Sequence, residues 1–572
     1  MVEFMNQETK ICQNCKSEFV IEPEDFKFYE KMQVPPPTFC PECRFQRRLM
    51  FRNERSLYKR KCDLCGKEII TAYSPDKPYK VYCNPCWWSD NWDVLGYGQE
   101  YNPSRTFFEQ FRALQFKVPY PNLIMDHPTL INSEYTNHSG HLKNCYLIYN
   151  ADICENVHYA EILANDKDSM DSTMLGESEL CYQNINCGHC YKTFFSEDCN
   201  DCVEVYFSKA CIGCSKCFGC INLRNKQYHI FNKPYTKEEY EQKLKEFLLD
   251  SHTGIENLKK EAIKFWQSIP HKFMHERHNV NVSGDYVFVS KNAKDMYQVR
   301  GIEDGKYCQW ITTQPVKDVY DYTEWGNNAQ RIYECITVGE FVDNVKFSYF
   351  GAFKHSMNVE YSSGCISSSD IFGCIGVRKK QYCILNKQYT KEGYIKLRER
   401  IIKDMDERPY VDSKGRVFKY GEFFPYDLSL FDYNESSADQ YFYPLSKEKV
   451  LERGWRWYEG KPGEYKITMK KEDIPDSIND VQDSIVDEVI ECAECQRPYR
   501  IIDRELALLR RFGLPIPRKC PNCRHKERLT RINPPRLWDR KCDRCGADIK
   551  TSYAPERPEK IYCAKCYQEE FV

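Results

Sequence analysis

Sixteen cysteines form eight CxxC pairs, four pairs near each end of the 572-residue chain. At one end they are Cys12, Cys15, Cys40, Cys43, Cys62, Cys65, Cys83 and Cys86. At the other they are Cys492, Cys495, Cys520, Cys523, Cys542, Cys545, Cys563 and Cys566. A CxxC knuckle points two sulfurs at one ion, and two knuckles complete the tetrahedral four-sulfur set that structural zinc prefers. Sequential pairing predicts four Zn2+ sites, each filled by protein and offering no position to water or substrate. The same motif can run redox chemistry, but CxxC followed by a second CxxC favours metal.

Each cysteine recurs 480 positions later without a gap, as do Pro41/Pro521, Arg44/Arg524, Arg48/Arg528, Leu57/Leu537 and Tyr73/Tyr553. The ends are therefore an internal duplication. Cys40-Pro-Glu-Cys-Arg44 and Cys520-Pro-Asn-Cys-Arg524, each preceded by a knuckle, resemble treble-clef-like zinc ribbons with four cysteine ligands. The layout resembles that of uncharacterised bacterial multi-zinc-ribbon proteins. The resemblance covers about a third of the chain and implies zinc binding, not a reaction.

A basic stretch leaves the first knuckle pair of each end. Residues 44–61 and 518–541 each carry a net charge of +7. On a helix, Arg44, Arg48 and Arg52, and likewise Arg524, Arg528 and Arg531, fall on one face. Two expectations follow: that these rows contact nucleic-acid phosphate, with Trp87, Trp88, Trp92 or Trp538 as stacking platforms, or that they balance thiolate charge.

The elements between the ends must position these modules. A 12-residue rhythm runs from Ser139 to Asn222 and again from Ala293 to Gly376. Of the 56 residues at positions 1, 4, 7 and 10, only Asp166 and Lys317 are charged, against 33 of the other 112. Those columns are expected to face inward, because burying unpaired charge is costly. The fold class expected is mostly β with short helices, a duplicated β-solenoid flanked by tandem four-cysteine zinc ribbons. Phe341, Phe347, Phe350 and Phe353 crowd the second set, so a 24-residue coil competes with the 12-residue one.

The chain is expected to divide at 1–61 and 62–95 (ribbons 1 and 2), 96–235 (cap helix and first solenoid half) and 236–278 (helical connector). The remainder divides at 279–389 (second half), 390–487 (helix and aromatic, acidic linker), 488–541 and 542–572 (ribbons 3 and 4). A cap helix is expected over 104–116, and a charged helix over 236–267 that is repeated over 390–406. Cys211, Cys214, Cys217 and Cys220 place four sulfurs in one unit, either as a fifth metal site or as small core residues. His271, His275 and His278 read as a solvated stretch; His141, His158 and His189 read as surface polar residues.

The formal charge of −2 rules out a globally basic coat. No apolar run is long enough for a membrane span, and reduced cysteines point to the cytoplasm. Phosphate-loop, dinucleotide-binding, HExxH and GxSxG signatures are missing. The function expected is a non-enzymatic zinc-binding protein that recognises RNA or a ribonucleoprotein. The alternatives are a protein–protein scaffold, or a solenoid enzyme or redox protein using the Cys187–Cys220 cluster.

Overall fold

The computed structural model describes residues 7–460 and 465–572, with the side chain of Ala352 excepted. Its centre is two stacks of short parallel strands. In the first stack Tyr149 pairs with Glu161, Glu161 with Thr173 and Thr173 with Ile185, twelve residues apart each time. Twelve residues, not twenty-four, therefore make one repeat here.

The local cause is a backbone turn at every third residue. From His138 to Phe231 each third residue has φ between +46° and +66°. Asparagine and aspartate tolerate this left-handed region best, and they also link neighbouring repeats. Asn132 donates to Asn144 at 3.1 Å, Asn144 to Asn156 at 3.2 Å and Asn156 to Asp168 at 2.7 Å. The next residue after each turn points inward, which buries Leu142, Cys145, Ile148, Cys187 and Cys199.

The second stack departs from the strict rhythm. Lys291 pairs with Glu303 twelve residues on, but Ile302 pairs with Val316, Val316 with Ala329, and Asp343 with Met357. Those spacings are 14, 13 and 14, and the 12-residue spacing returns at Met357 with Ser369. The added residues make room for bulk and shift the inward columns. Lys317 is thus exposed while Val316 and Val319 are buried, and Phe341 is exposed while Val342 and Val345 are buried. Phe347 is buried, whereas Phe350 and Phe353 are half-buried.

The stacks lie side by side and run in opposite senses. Asn150 donates to Glu324, Gln298 donates to the Met174 sulfur at 2.7 Å, and Tyr286 donates to Asp198 at 2.9 Å. Positions rise along one stack as they fall along the other.

The end modules cross over. The N-terminal module packs on the second stack, where Phe28 stacks on Tyr320 at 3.8 Å. The C-terminal module packs on the first, where Tyr567 donates to Asn222 at 2.9 Å. The helix Phe107–Gln115 also lies against the second stack, with Phe107 5.2 Å from Phe372, although it precedes the first stack in the chain. Thr106 and Glu109 form its capping box. The charged connector is two helices, Lys237–Glu246 and His252–Ser268. The break comes where Phe247 turns extended and Ser251 caps the second helix by accepting from Gly254 at 3.1 Å. The helix Lys391–Glu407 opens at Thr390 as expected. The aromatic segment after it buries Phe418, Phe423, Phe424, Tyr426 and Trp455 between the N-terminal module and the second stack. Among the described residues no helix is long and apolar enough to cross a membrane.

Candidate metal centres

Each end module repeats one local design twice. A short hairpin carries the first knuckle, as in Glu8–Ile11 with Glu18–Ile21 around Cys12 and Cys15. The turn closes when Lys16, Gly66, Gln496 or Gly546 enters the left-handed region and its N–H donates to the carbonyl of Cys12, Cys62, Cys492 or Cys542. The second knuckle begins a helix. Cys40, Cys83, Cys520 and Cys563 are the residues before Pro41–Met50, Asn84–Trp88, Pro521–Thr530 and Ala564–Phe571. Unpaired N–H groups and the helix dipole at these ends favour anionic sulfur.

Four groups result: Cys12, Cys15, Cys40, Cys43; Cys62, Cys65, Cys83, Cys86; Cys492, Cys495, Cys520, Cys523; and Cys542, Cys545, Cys563, Cys566. Within each, all sulfurs lie within 4.8 Å of one another. Cross-knuckle separations are 3.7 Å for Cys15–Cys40, 3.9 Å for Cys65–Cys83, and 3.8 Å for both Cys495–Cys520 and Cys545–Cys563. A tetrahedron with Zn–S bonds of about 2.3 Å has edges of about 3.8 Å. The quartets therefore have the size a four-coordinate metal requires.

The surroundings support a thiolate at the first cysteine of each group. In every group the first sulfur accepts the N–H of the third cysteine, at 3.3, 3.2, 3.2 and 3.3 Å. Burial opposes ionisation of Cys62, yet the N–H groups of Cys65, Cys83 and Leu64 bring it down to about 7. The same balance brings Cys492 to about 7 and Cys542 to about 6. The neighbouring Cys40 and Cys43 thiols pull Cys12 well below the ordinary thiol range.

The arginine rows lie elsewhere than a phosphate surface requires. Arg44, Arg48, Arg52, Arg524 and Arg528 are buried, each 3% exposed or less. Arg44 pairs with Asp321, and Arg48 donates to Thr323 at 3.0 Å and Gln309 at 3.1 Å. Arg52 pairs with Glu54 at 2.5 Å and with Glu324. Arg524 pairs with Asp171 at 2.7 Å and Glu505 at 2.9 Å. Arg528 donates to Thr173 at 3.0 Å and pairs with Asp171 at 3.2 Å, and the partly exposed Arg531 pairs with Glu197 at 2.6 Å. The rows are neither phosphate contacts in this arrangement nor simple counter-charges to the thiolates. They fasten each end module to its stack. Around Glu161, burial is outweighed by His525, Arg528 and Arg55, which hold its carboxyl well below the usual range. Of the proposed stacking platforms, Trp87, Trp88 and Trp92 surround Arg378 at 4.6, 5.3 and 5.2 Å, and Trp538 carries Arg536 at 5.5 Å.

Cys211, Cys214, Cys217 and Cys220 are all buried, but they do not converge as the end quartets do. Their thiols donate to carbonyls two residues back, at 3.5, 3.5, 3.4 and 3.3 Å. They are core residues. The histidines also part from expectation: His158 and His271 are buried, and burial lowers them to about 4 and about 3. His275 bridges the stacks, 2.9 Å from Asp285 and 3.5 Å from Asp198. His141 and His189 are exposed. The carboxylates that hold the arginines were not singled out from sequence. Asp171 and Thr173 in one stack and Asp321 and Thr323 in the other take matching contacts, but they lie 150 positions apart, out of register with the two 12-residue sets.

No family model, curated protein or solved structure matches the chain.

Proposed function

We propose that this chain is a non-enzymatic, zinc-stabilised binding protein whose two stacks are the halves of a β-solenoid and whose partner is a protein. The observation that carries the metal assignment is the set of four sulfur quartets with edges of 3.7 to 3.9 Å. Four thiolates complete zinc's preferred shell, so the ions act as structural clamps rather than Lewis acids. A reducing compartment such as the cytoplasm suits thirty-two free thiols.

The platform reading rests on the outer face of the first stack. There Tyr191 and Val203 pair across consecutive repeats, each 44% exposed. Stacked repeats expose long flanks of this kind to partners. Recognition of RNA or a ribonucleoprotein would need cations other than the buried arginine rows.

Metal analysis with zinc-edge X-ray absorption tests the first half: four zinc ions per chain, each with a four-sulfur shell at about 2.3 Å, are expected. A metal-free folded protein, or nitrogen or oxygen in the shell, overturns it. Recovery of the native complex with and without nuclease tests the second half. A partner lost on nuclease treatment would replace the protein reading with the RNA one.

A further inference from the structure

The duplication supplies its own reference for a cavity at the junction of the N-terminal module, the second stack and the C-terminal module. The matching place in the other half is filled. There Arg55 pairs with Glu161 at 2.9 Å, reaches Asn522 at 3.5 Å and lies over the Tyr149 ring at 4.9 Å.

Structural correspondence is set by contacts rather than by counting. Arg528 donates to Thr173 and approaches Glu161 at 3.4 Å, and its counterpart Arg48 donates to Thr323 and Gln309. Tyr149 pairs with Glu161 in its ladder, and Tyr297 pairs with Gln309. Arg524 lies over Tyr159 and Arg44 over Tyr307. The partners of Arg55 thus correspond to Gln309, Tyr297 and, 480 positions from Asn522, Glu42. All three line a cavity of about 220 Å³. The residue at the place of Arg55 is Pro535, which cannot reach in, and Arg536 turns its guanidinium to Trp538.

The open seat redistributes its carboxylates: the neutral Gln309 stands where the filled seat has Glu161. A carboxylate, Glu42, stands where the filled seat has the Asn522 amide, and Asp295 and Asp539 add two more, so three carboxylates face the two cations of the lining, Arg536 and Lys550. Phe45 replaces His525, so the walls are more aromatic. Planar cations stack on tyrosine faces and fork onto carboxylates, whereas an ammonium is a hydrated point charge. We propose that this cavity binds a small organic cation carrying a guanidinium group, in the seat that Arg55 occupies in the other half.

Calorimetric titration of the full-length, metal-loaded protein with ethylguanidinium, an analogue of the arginine side chain, tests this. Saturable binding at one site per chain is expected, with ethylammonium at least tenfold weaker. Pro535→Arg should fill the seat from within and abolish binding. Glu42→Gln, at an exposed position, should weaken it several-fold and keeps the test decisive if the arginine variant fails to fold. Absence of saturable binding, equal affinity for ethylammonium, or undiminished binding to folded Pro535→Arg or Glu42→Gln overturns the proposal.

Discussion

Half of the thirty-two cysteines lie in the end modules and half inside the stacks, and the two sets use sulfur in opposite ways. At the ends the sulfur accepts: Cys492 takes the N–H of Cys520 at 3.2 Å and sits among three other sulfurs. In the stacks it donates: Cys145 gives its S–H to the carbonyl of Lys143 at 3.5 Å. An accepting sulfur is stabilised as thiolate; a donating one must keep its proton. Burial accordingly pushes Cys145 up to about 11 and Cys365 up to about 12. Residue type alone therefore says little about metal. The backbone decides, by turning N–H groups toward the sulfur at a knuckle and carbonyls toward it in a repeat.

The strongest way to break this contrast is Cys43→Ser. Structural zinc sites contribute on the order of 10 kcal/mol or more, so metal content should fall from four to three per chain and melting should drop steeply. Because Cys43 sits in the first turn of the helix that carries Arg44, Arg47 and Arg48 into the second stack, the loss should spread beyond the module. A variant that retained four zinc ions would remove the distinction between the two sets. Next in size is Arg524→Ala, which cuts the link between the sets without touching a ligand. It leaves Glu505 buried with only the Tyr159 hydroxyl and Asp171 with Arg528 alone, a cost of about 3 kcal/mol. Urea unfolding should register that cost while metal analysis still finds four ions. A change below about 1 kcal/mol would mean that the buried pairs do not clamp module to stack.

Much of this contrast was legible in the sequence. The 480-residue offset and the CxxC spacing specify the quartets, because knuckles are local and their geometry depends on few neighbours. The three-residue rhythm of the first stack was readable for the same reason: each turn is made by one residue. The second stack was not, since insertions such as that between Ile302 and Val316 shift Lys317 outward without disturbing composition. The destination of the arginines was also hidden. Arg44 meets Asp321 across 277 positions, and no local pattern encodes that the modules cross over.

Asp166 tests what an inward column tolerates. It is the one charged residue in the inward columns of the first set, and burial pushes its carboxyl up to about 7 although it accepts from Ser178 at 2.9 Å and Ala164 at 3.1 Å. Between the ordinary carboxylate range and pH 7 the folded state binds this proton more tightly than the unfolded chain. Stability should therefore fall as pH rises from about 4 to about 7, by roughly 2–4 kcal/mol in total. Asp166→Asn should remove that slope, which melting curves across pH would show; an unchanged slope would place the titration elsewhere.

The smallest expected effect is the most pointed. Inward serines already stand beside the cysteines in the first stack and make the same bond: Ser196 donates to the carbonyl of Phe194 at 3.0 Å and Ser208 to that of Tyr206 at 2.9 Å. A hydroxyl at position 199 would find the Glu197 carbonyl waiting and would leave only a slightly smaller volume. Cys199→Ser should cost about 1 kcal/mol or less, because the hydrogen bond offsets most of the lost sulfur contact. Zinc content should stay at four. The same chemical change at Cys43 removes a ligand and at Cys199 exchanges one donor for another. If denaturant unfolding instead showed a loss at Cys199 comparable to that at Cys43, the interior thiols would hold something more than their neighbours' carbonyls.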